Sequence, residues 1–354
     1  MICLPCRFAR FALLVLALSG GFAAPQRALA WDAVGHRAIT WLALDGLSAD
    51  MPAWLRDKSN VHAIGWQASE PDRWRGLNSL VLKHENGPDH YLDIEDLARY
   101  GLTFETMPPL RMQYITAMAI ARHEHPEGVD GTLKPHNPRF DPSGEQEWPG
   151  FLAHAMAEHF AKLAASFRNY RVLEKLAEPA RAPQLDMAKA NIAVEMGVLA
   201  HFVGDAAQPL HTTRYHHGWV TERSEPWKDN PDGFTTARSI HAFIDGGVIR
   251  QHGITYHTLK PGQKYEHTVD AGDPWPAILA HIRRSHEFVR RTYELERDGK
   301  FSQAEGRAFI EERLRDAASM LAAMYNAAWQ AGAPSQKDID DFVKYDGFTA
   351  DQVP

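Results

Sequence analysis

The sequence predicts an all-helical protein built as one multi-helix bundle over residues 31–354, and three observations carry that expectation. Apolar residues recur at helical spacing along most of the chain, strand-like alternation is scarce, and neither an internal repeat nor a low-complexity linker divides it. The length beyond residue 30 also permits two domains, but one is the simpler expectation.

Residues 1–30 are set apart from that fold. Arg7 and Arg10 give a positive start, Phe11 to Leu18 an apolar stretch too short to span a bilayer, and Ala28-Leu29-Ala30 a small-residue cleavage site. The expectation is a secretory signal removed after Ala30, leaving a secreted or periplasmic protein that starts at Trp31. Both cysteines, Cys3 and Cys6, lie in this segment. The mature chain is therefore expected to have neither disulfides nor thiolate metal sites, so that histidine, carboxylate or backbone groups must hold any zinc.

The spacing predicts helices at about Gly35 to Asp45, Leu110 to His125, Gln146 to Leu176, Gln184 to Asp205, Ser239 to Ile249 and Pro274 to Arg297. The Gln184 to Asp205 helix is apolar almost all round, through Ile192, Val194, Met196, Val198, Leu199 and Phe202, which marks it as a central element. Ser302 and Glu305 have the spacing of a capping box, followed by a long one-faced helix that Gly332 and Pro334 end. Two stretches rich in Pro, Gly, Asp and Asn, Pro126 to Glu145 and Thr212 to Arg238, are expected to be irregular, and loops of that length are usually functional or mobile.

The whole chain carries 38 basic and 45 acidic side chains, a formal charge of -7. Without the three arginines of the first thirty residues, 35 basic face 45 acidic groups and the charge becomes -10. A broad basic face for duplex DNA is thereby excluded, since that mode works by Lys and Arg displacing counterions. If the substrate is a phosphodiester, bound metal must supply much of the local positive charge.

The strongest local signal runs from His201 to His211. A four-residue step puts His201 and Asp205 on one helix face, and Pro209 ends the helix so that His211 returns from a turn. His241 and Asp245 repeat the step on a separate helix. A histidine four residues from an aspartate is more often a surface ion pair than a ligand set. Here, though, His201 and Asp205 end the most apolar helix, where unpaired polar groups are costly to bury, so a metal or a strong hydrogen-bond partner is required.

Five ordered motifs resemble the S1/P1 nuclease family, the zinc-dependent single-strand nucleases distantly related to bacterial zinc phospholipase C. They are Trp31-Asp-Ala-Val-Gly-His36, Glu70-Pro-Asp72-Arg-Trp-Arg75, His90-Tyr91-Leu-Asp93, His201 to His211, and His241-x-x-x-Asp245. The resemblance implies the family's all-helical bundle and three zinc ions. Asp72, His90, His201 and Asp205 would hold the first, and His211, His241 and Asp245 the third. The second would be held by the amino and carbonyl groups of Trp31, His36 and the shared Asp205. It also implies that the metals acidify a water, that Asp72 and Arg75 belong to the catalytic machinery with Arg75 neutralising phosphoryl charge, and that Tyr91 stacks on a base whose edge Asp93 reads. The activity implied is endonucleolytic cleavage of single-stranded DNA or RNA to 5'-phosphorylated products, with removal of 3'-phosphates beside it.

A zinc-dependent phospholipase C and a non-catalytic exported zinc protein are the alternatives. Asp245 in place of Glu, and the aromatic after His90, favour the nuclease over the lipase. The family's Gly-rich, Asn-containing loop is not plainly present, and Asn230, Asp232 and Gly233 stand as its possible remnant. His216 and His217 are expected to be exposed loop residues, and His154 and His159 bundle core.

Overall fold

The computed structural model describes residues 31–219 and 230–349, so the expected signal segment and part of the 212–238 loop lie outside the described residues. Among the described residues the structure is all-α, with no strand. The helices are α1 (Ala33–Asp45), α2 (Lys58–Gln67), α3 (Glu70–Gly76), α4 (Leu80–Asn86), α5 (Arg111–Glu124), α6 (Leu152–Leu176) and α7 (Ala182–Ala207). They continue with α8 (Ile240–Ala242), α9 (Val248–His252), α10 (Tyr256–Leu259), α11 (Trp275–His286), α12 (Val289–Arg297), α13 (Ala304–Ala331) and α14 (Gln336–Asp346). No described helix is long and apolar enough to cross a membrane.

The organising element is α7, which packs along α6, α13, α2 and α1. Every residue from Met196 to Ala207 is buried, as expected for a helix apolar on all sides. Close approach to α2 depends on Gly197, where a Cβ would stand 2.2 Å from the Gln67 Cβ and 2.8 Å from the Ile64 carbonyl oxygen. At the same level the Tyr325 hydroxyl of α13 donates to the Met196 carbonyl at 2.7 Å, so α7 is gripped from two sides.

Several boundaries differ from the sequence expectation, each for a tertiary reason. The helix expected from Gln146 begins at Leu152, because residues 149–152 strap the chain to the 88–93 segment: Asp93 N–H donates to Pro149 O at 2.7 Å, Phe151 N–H to Pro88 O at 2.8 Å and Leu152 N–H to Tyr91 O at 3.2 Å. Gly150 makes this strap possible, with φ +105 and the Tyr91 carbonyl oxygen 2.1 Å from where a Cβ would be. The Pro274 to Arg297 helix is split into α11 and α12 at Glu287 and Phe288, where the Phe288 ring turns toward Phe309 (5.8 Å between centroids) under the Arg313 guanidinium.

The expected Ser302 capping box does not form. Ser302 closes a short turn by donating to Gly299 O at 3.0 Å, Gln303 occupies the N-cap, and Glu305 is paired with Arg291. Helices α2, α3, α4 and α14 were not expected; they are short and lean on the bundle.

The Gly197 crossing is the most testable feature of this packing. A methyl group at that position meets backbone rather than a movable side chain, so Gly197→Ala is expected to cost about 1–3 kcal/mol. An unchanged thermal unfolding midpoint would contradict the close α2–α7 approach.

Candidate metal centre

The buried end of α7 supplies His201 and Asp205 one turn apart. Nδ1–H of His201 donates to the Ala68 carbonyl at 2.9 Å, which turns Nε2 inward. Pro209 ends the helix and a short turn, Pro209–His211, brings His211 back; its Nδ1–H donates to the His90 carbonyl at 2.5 Å and its Nε2 also faces inward. A backbone carbonyl on the outer nitrogen fixes tautomer and ring orientation, as the outer shell of a metal-ligating histidine does.

Three other segments complete the centre. His90 sits at the end of the Gly87–His90 turn, with Nδ1 3.0 Å from His201 Nε2 and 3.0 Å from Asp205 Oδ2. His36, from α1, lies on the other side of the carboxylate, its Nε2 3.4 Å from Asp205 Oδ1, and its ring stacks on His201 at 4.1 Å. That approach depends on Gly204, whose Cβ would be 2.8 Å from His36 Nδ1. Asp72 on α3 is 4.0 Å from His90 Nδ1, and the Arg75 guanidinium is 3.1 Å from its Oδ1. The two oxygens of Asp205 thus face different histidines: Oδ1 faces His36, Oδ2 faces His90 and His201.

A second grouping adjoins the first. His241 Nε2 is 2.9 Å from His211 Nε2 and 3.4 Å from Asp245 Oδ2. His241 lies on α8 and Asp245 in the π-helical turn Phe243–Gly247 that joins α8 to α9. The expected single helix from Ser239 is therefore interrupted, and such insertions are frequent at functional sites. Gln208 donates to Asp245 Oδ1 at 2.6 Å, leaving Oδ2 for the centre.

The described chain also starts here. The Trp31 indole is buried and donates to Gly204 O at 2.8 Å, while Asp32 N–H donates to Asp245 O at 3.0 Å. Asp32 then caps α1 by accepting from the Val34 and Gly35 amides.

All eight expected side-chain ligands are buried, and three sets of them are able to hold a metal ion: His36, Asp72 and His201; His90, His201 and Asp205; His211, His241 and Asp245. Both nitrogens of His36, Oδ1 of Asp205 and Oδ2 of Asp245 are buried with no hydrogen-bond partner. Native proteins rarely tolerate such orphans. Burial pushes the Asp205 carboxyl up to about 7 and Asp245 well above the ordinary carboxylate range, while it holds His90, His211 and His241 well below 6.5. A cation among these groups reverses the carboxylate shift and uses the neutral imidazoles as they stand.

A cavity of about 310 Å³ opens beside this cluster. His90, His211, His241 and Arg75 line it together with Tyr91, Asp93 and Trp148. The Tyr91 hydroxyl donates to Glu145 O at 2.5 Å, and Asp93 Oδ1 is buried without a hydrogen-bond partner. The expectation that His216 and His217 are exposed is corrected: both are half-buried and line the cavity with Arg238, His216 Nδ1 lying 3.6 Å from Asp93 Oδ1. Their apolar companions Tyr215 and Trp219, stacked at 4.8 Å, were the available signal that this stretch packs inward.

Asn230, Asp232 and Gly233 do not line the cavity; Asn230 is engaged by the backbone of Phe234 at 2.8 Å in both directions. His154 is stacked on Tyr114 and His159 pairs with Glu195 at 2.8 Å, both away from the cluster. A further group of metal-ligand type, His267, His281 and Asp316, was not foreseen.

No protein-family model matches the chain, and no curated protein does.

The imidazole environment sets a pH expectation. Only neutral imidazole coordinates, and burial holds these histidines below their ordinary 6.5, so protons displace metal only as the pH falls beneath that value. Metal content after dialysis at stepped pH should be flat above 6.5 and decline below it. A loss already complete at neutral pH would contradict the assignment.

Proposed function

We propose that the chain is a zinc-dependent phosphodiester hydrolase of the S1/P1 nuclease kind, exported after cleavage at Ala30, that cuts single-stranded DNA or RNA to 5'-phosphorylated products and also removes 3'-phosphates. One observation carries the reading: buried imidazoles and carboxylates with orphaned ligand atoms converge beside a cavity of about 310 Å³, near the lower limit for a small-molecule site, that also holds an arginine and an aromatic wall.

The donor set fits zinc. It contains imidazole and carboxylate but no thiolate, and its ring tautomers are held by backbone carbonyls. Asp72, His90, His201 and Asp205 would hold one ion, His36 with Asp205 and the Trp31 amino and carbonyl groups a second, and His211, His241 and Asp245 a third. Zinc bound there supplies Lewis acidity toward phosphoryl oxygens and an acidified water.

The chain's own residues do the rest. Arg75 offers a guanidinium fork to phosphoryl charge while its bond to Asp72 fixes its direction. Tyr91, anchored by its hydroxyl, would stack on a base, and the Asp93 carboxylate, whose Oδ1 lies 3.6 Å from His216 Nδ1, would accept from the base edge. An unpaired strand can present its bases to such a slot, whereas a duplex hides them.

The test incubates the zinc-loaded mature protein with a single-stranded oligonucleotide, a duplex and phosphatidylcholine, with and without chelator. Preferential, chelator-sensitive cleavage of the single strand is the expected result. Cleavage of lipid alone would replace the reading with a phospholipase C, and no cleavage would favour a non-catalytic zinc protein.

Asp205→Asn should be more damaging than Asp93→Asn, because Asp205 serves two ligand sets and Asp93 only the substrate. Zinc content decides: a three-zinc count unchanged in Asp205→Asn would contradict the bridging role. Arg75→Ala is expected to lower kcat roughly 10²-fold with zinc content retained.

A further inference from the structure

Away from the cavity, His267 in the segment between α10 and α11, His281 on α11 and Asp316 on α13 bring one ligand atom each to within 4.8 Å of one another. None of the three lines the cavity described above. We propose that they form a separate, weaker site for a divalent transition metal, in which the Arg284 guanidinium is the resident cation that an incoming ion displaces. This inference does not rest on the proposed hydrolase reading.

The orientation of His281 is the first support. The ring is fully buried and its Nε2–H points to the Val203 carbonyl at 3.3 Å, so the Nδ1 lone pair faces Asp316 Oδ2 at 3.6 Å. That repeats the pattern seen at His201, an outer nitrogen on a backbone carbonyl and an inner one toward a carboxylate. His267 Nε2–H donates to Asp316 Oδ1 at 2.8 Å, which brings the second imidazole against the same carboxylate. Two imidazoles and a carboxylate suit zinc, cobalt or nickel better than magnesium or calcium.

Arg284 provides the second support. Its Nη2 lies 3.2 Å from His267 Nε2 and 3.4 Å from His281 Nδ1, and its Nε lies 3.4 Å from Asp316 Oδ2. A guanidinium has donors only, so it satisfies His281 Nδ1 and Asp316 Oδ2 as a metal would, with longer and weaker contacts, while His267 Nε2 gives its hydrogen to Asp316 Oδ1 and would change tautomer to coordinate an ion. Its side chain is 35% exposed, so it can swing into solvent without leaving a buried charge behind. Arg313 remains 3.8 Å from Asp316 Oδ2 whichever cation is present. That fixed positive charge lowers affinity for a second one, and for this reason the site is expected to be weaker than the cluster beside the cavity.

The test is zinc binding by equilibrium dialysis over a range of buffered free Zn²⁺, with metal content by mass spectrometry, on the purified wild-type protein, His267→Ala and Arg284→Ala. His267 sits in a half-exposed segment, so its truncation leaves the bundle intact, and ions held elsewhere are common to all three proteins and cancel. At saturation the wild type should carry one more zinc than His267→Ala, and Arg284→Ala should take up that ion at roughly tenfold lower free zinc. Equal counts in wild type and His267→Ala would overturn the proposal. So would an additional ion that binds only to Arg284→Ala, since the guanidinium would then be a permanent partner of Asp316.

Discussion

A carboxylate buried at the end of the most apolar helix, with four imidazoles within 4 Å, keeps its charge only beside a positive one and otherwise takes up a proton. Asp205 is in that position. The imidazoles are poor sources of that positive charge, because burial above all disfavours protonation of His36, His90, His201 and His211. Arg75, bonded to Asp72, lowers the Asp205 carboxyl only in part, and burial still leaves it at about 7. A bound cation would supply that charge, so the capacity of this centre to hold a metal has its ground in desolvation as much as in ligand identity.

The packing of α7 serves that constraint. Side chains all round the helix hold it at the centre of the bundle, and two glycines admit neighbours at close range: Gly197 lets α2 in, and Gly204 lets His36 approach the same turn that carries Asp205. The strap at residues 149–152 then fixes the backbone of Tyr91 and Asp93, so this part of the cavity lining is set by hydrogen bonds between main-chain segments rather than by side-chain choice. A centre of this kind is rigid because its supports are backbone groups, which have few alternative positions.

The central helices and the four-residue histidine–aspartate steps were legible because each leaves a periodic trace within one element. α7 and α13 carry long apolar patterns, and His201 with Asp205, or His241 with Asp245, needs only helical spacing to share a face. What escaped the sequence lacks such a trace. Helices α2 to α4 are short and polar on much of their surface, the α11–α12 break answers to the seat of Phe288, and Ser302 had a competing partner in Gly299 O. His267, His281 and Asp316 come from three elements with no spacing rule between them, so only the folded chain brings them together.

The acidic balance of the chain bears on how any phosphodiester reaches the centre. With 45 acidic against 38 basic side chains, the surface as a whole repels a polyanion, and long-range attraction cannot hold one in place. At the cavity Arg75, Arg99, Arg214 and Arg238 are balanced by Asp93, Asp96, Glu145 and Glu147, so net positive charge there would have to come from cations held by the cluster. On the proposed reading, affinity therefore depends on what enters the cavity rather than on the length of strand lying across the surface. Base contacts at Tyr91 and Asp93 and charge contacts at Arg75 must supply most of it, which favours short or locally unpaired substrates over extended duplex.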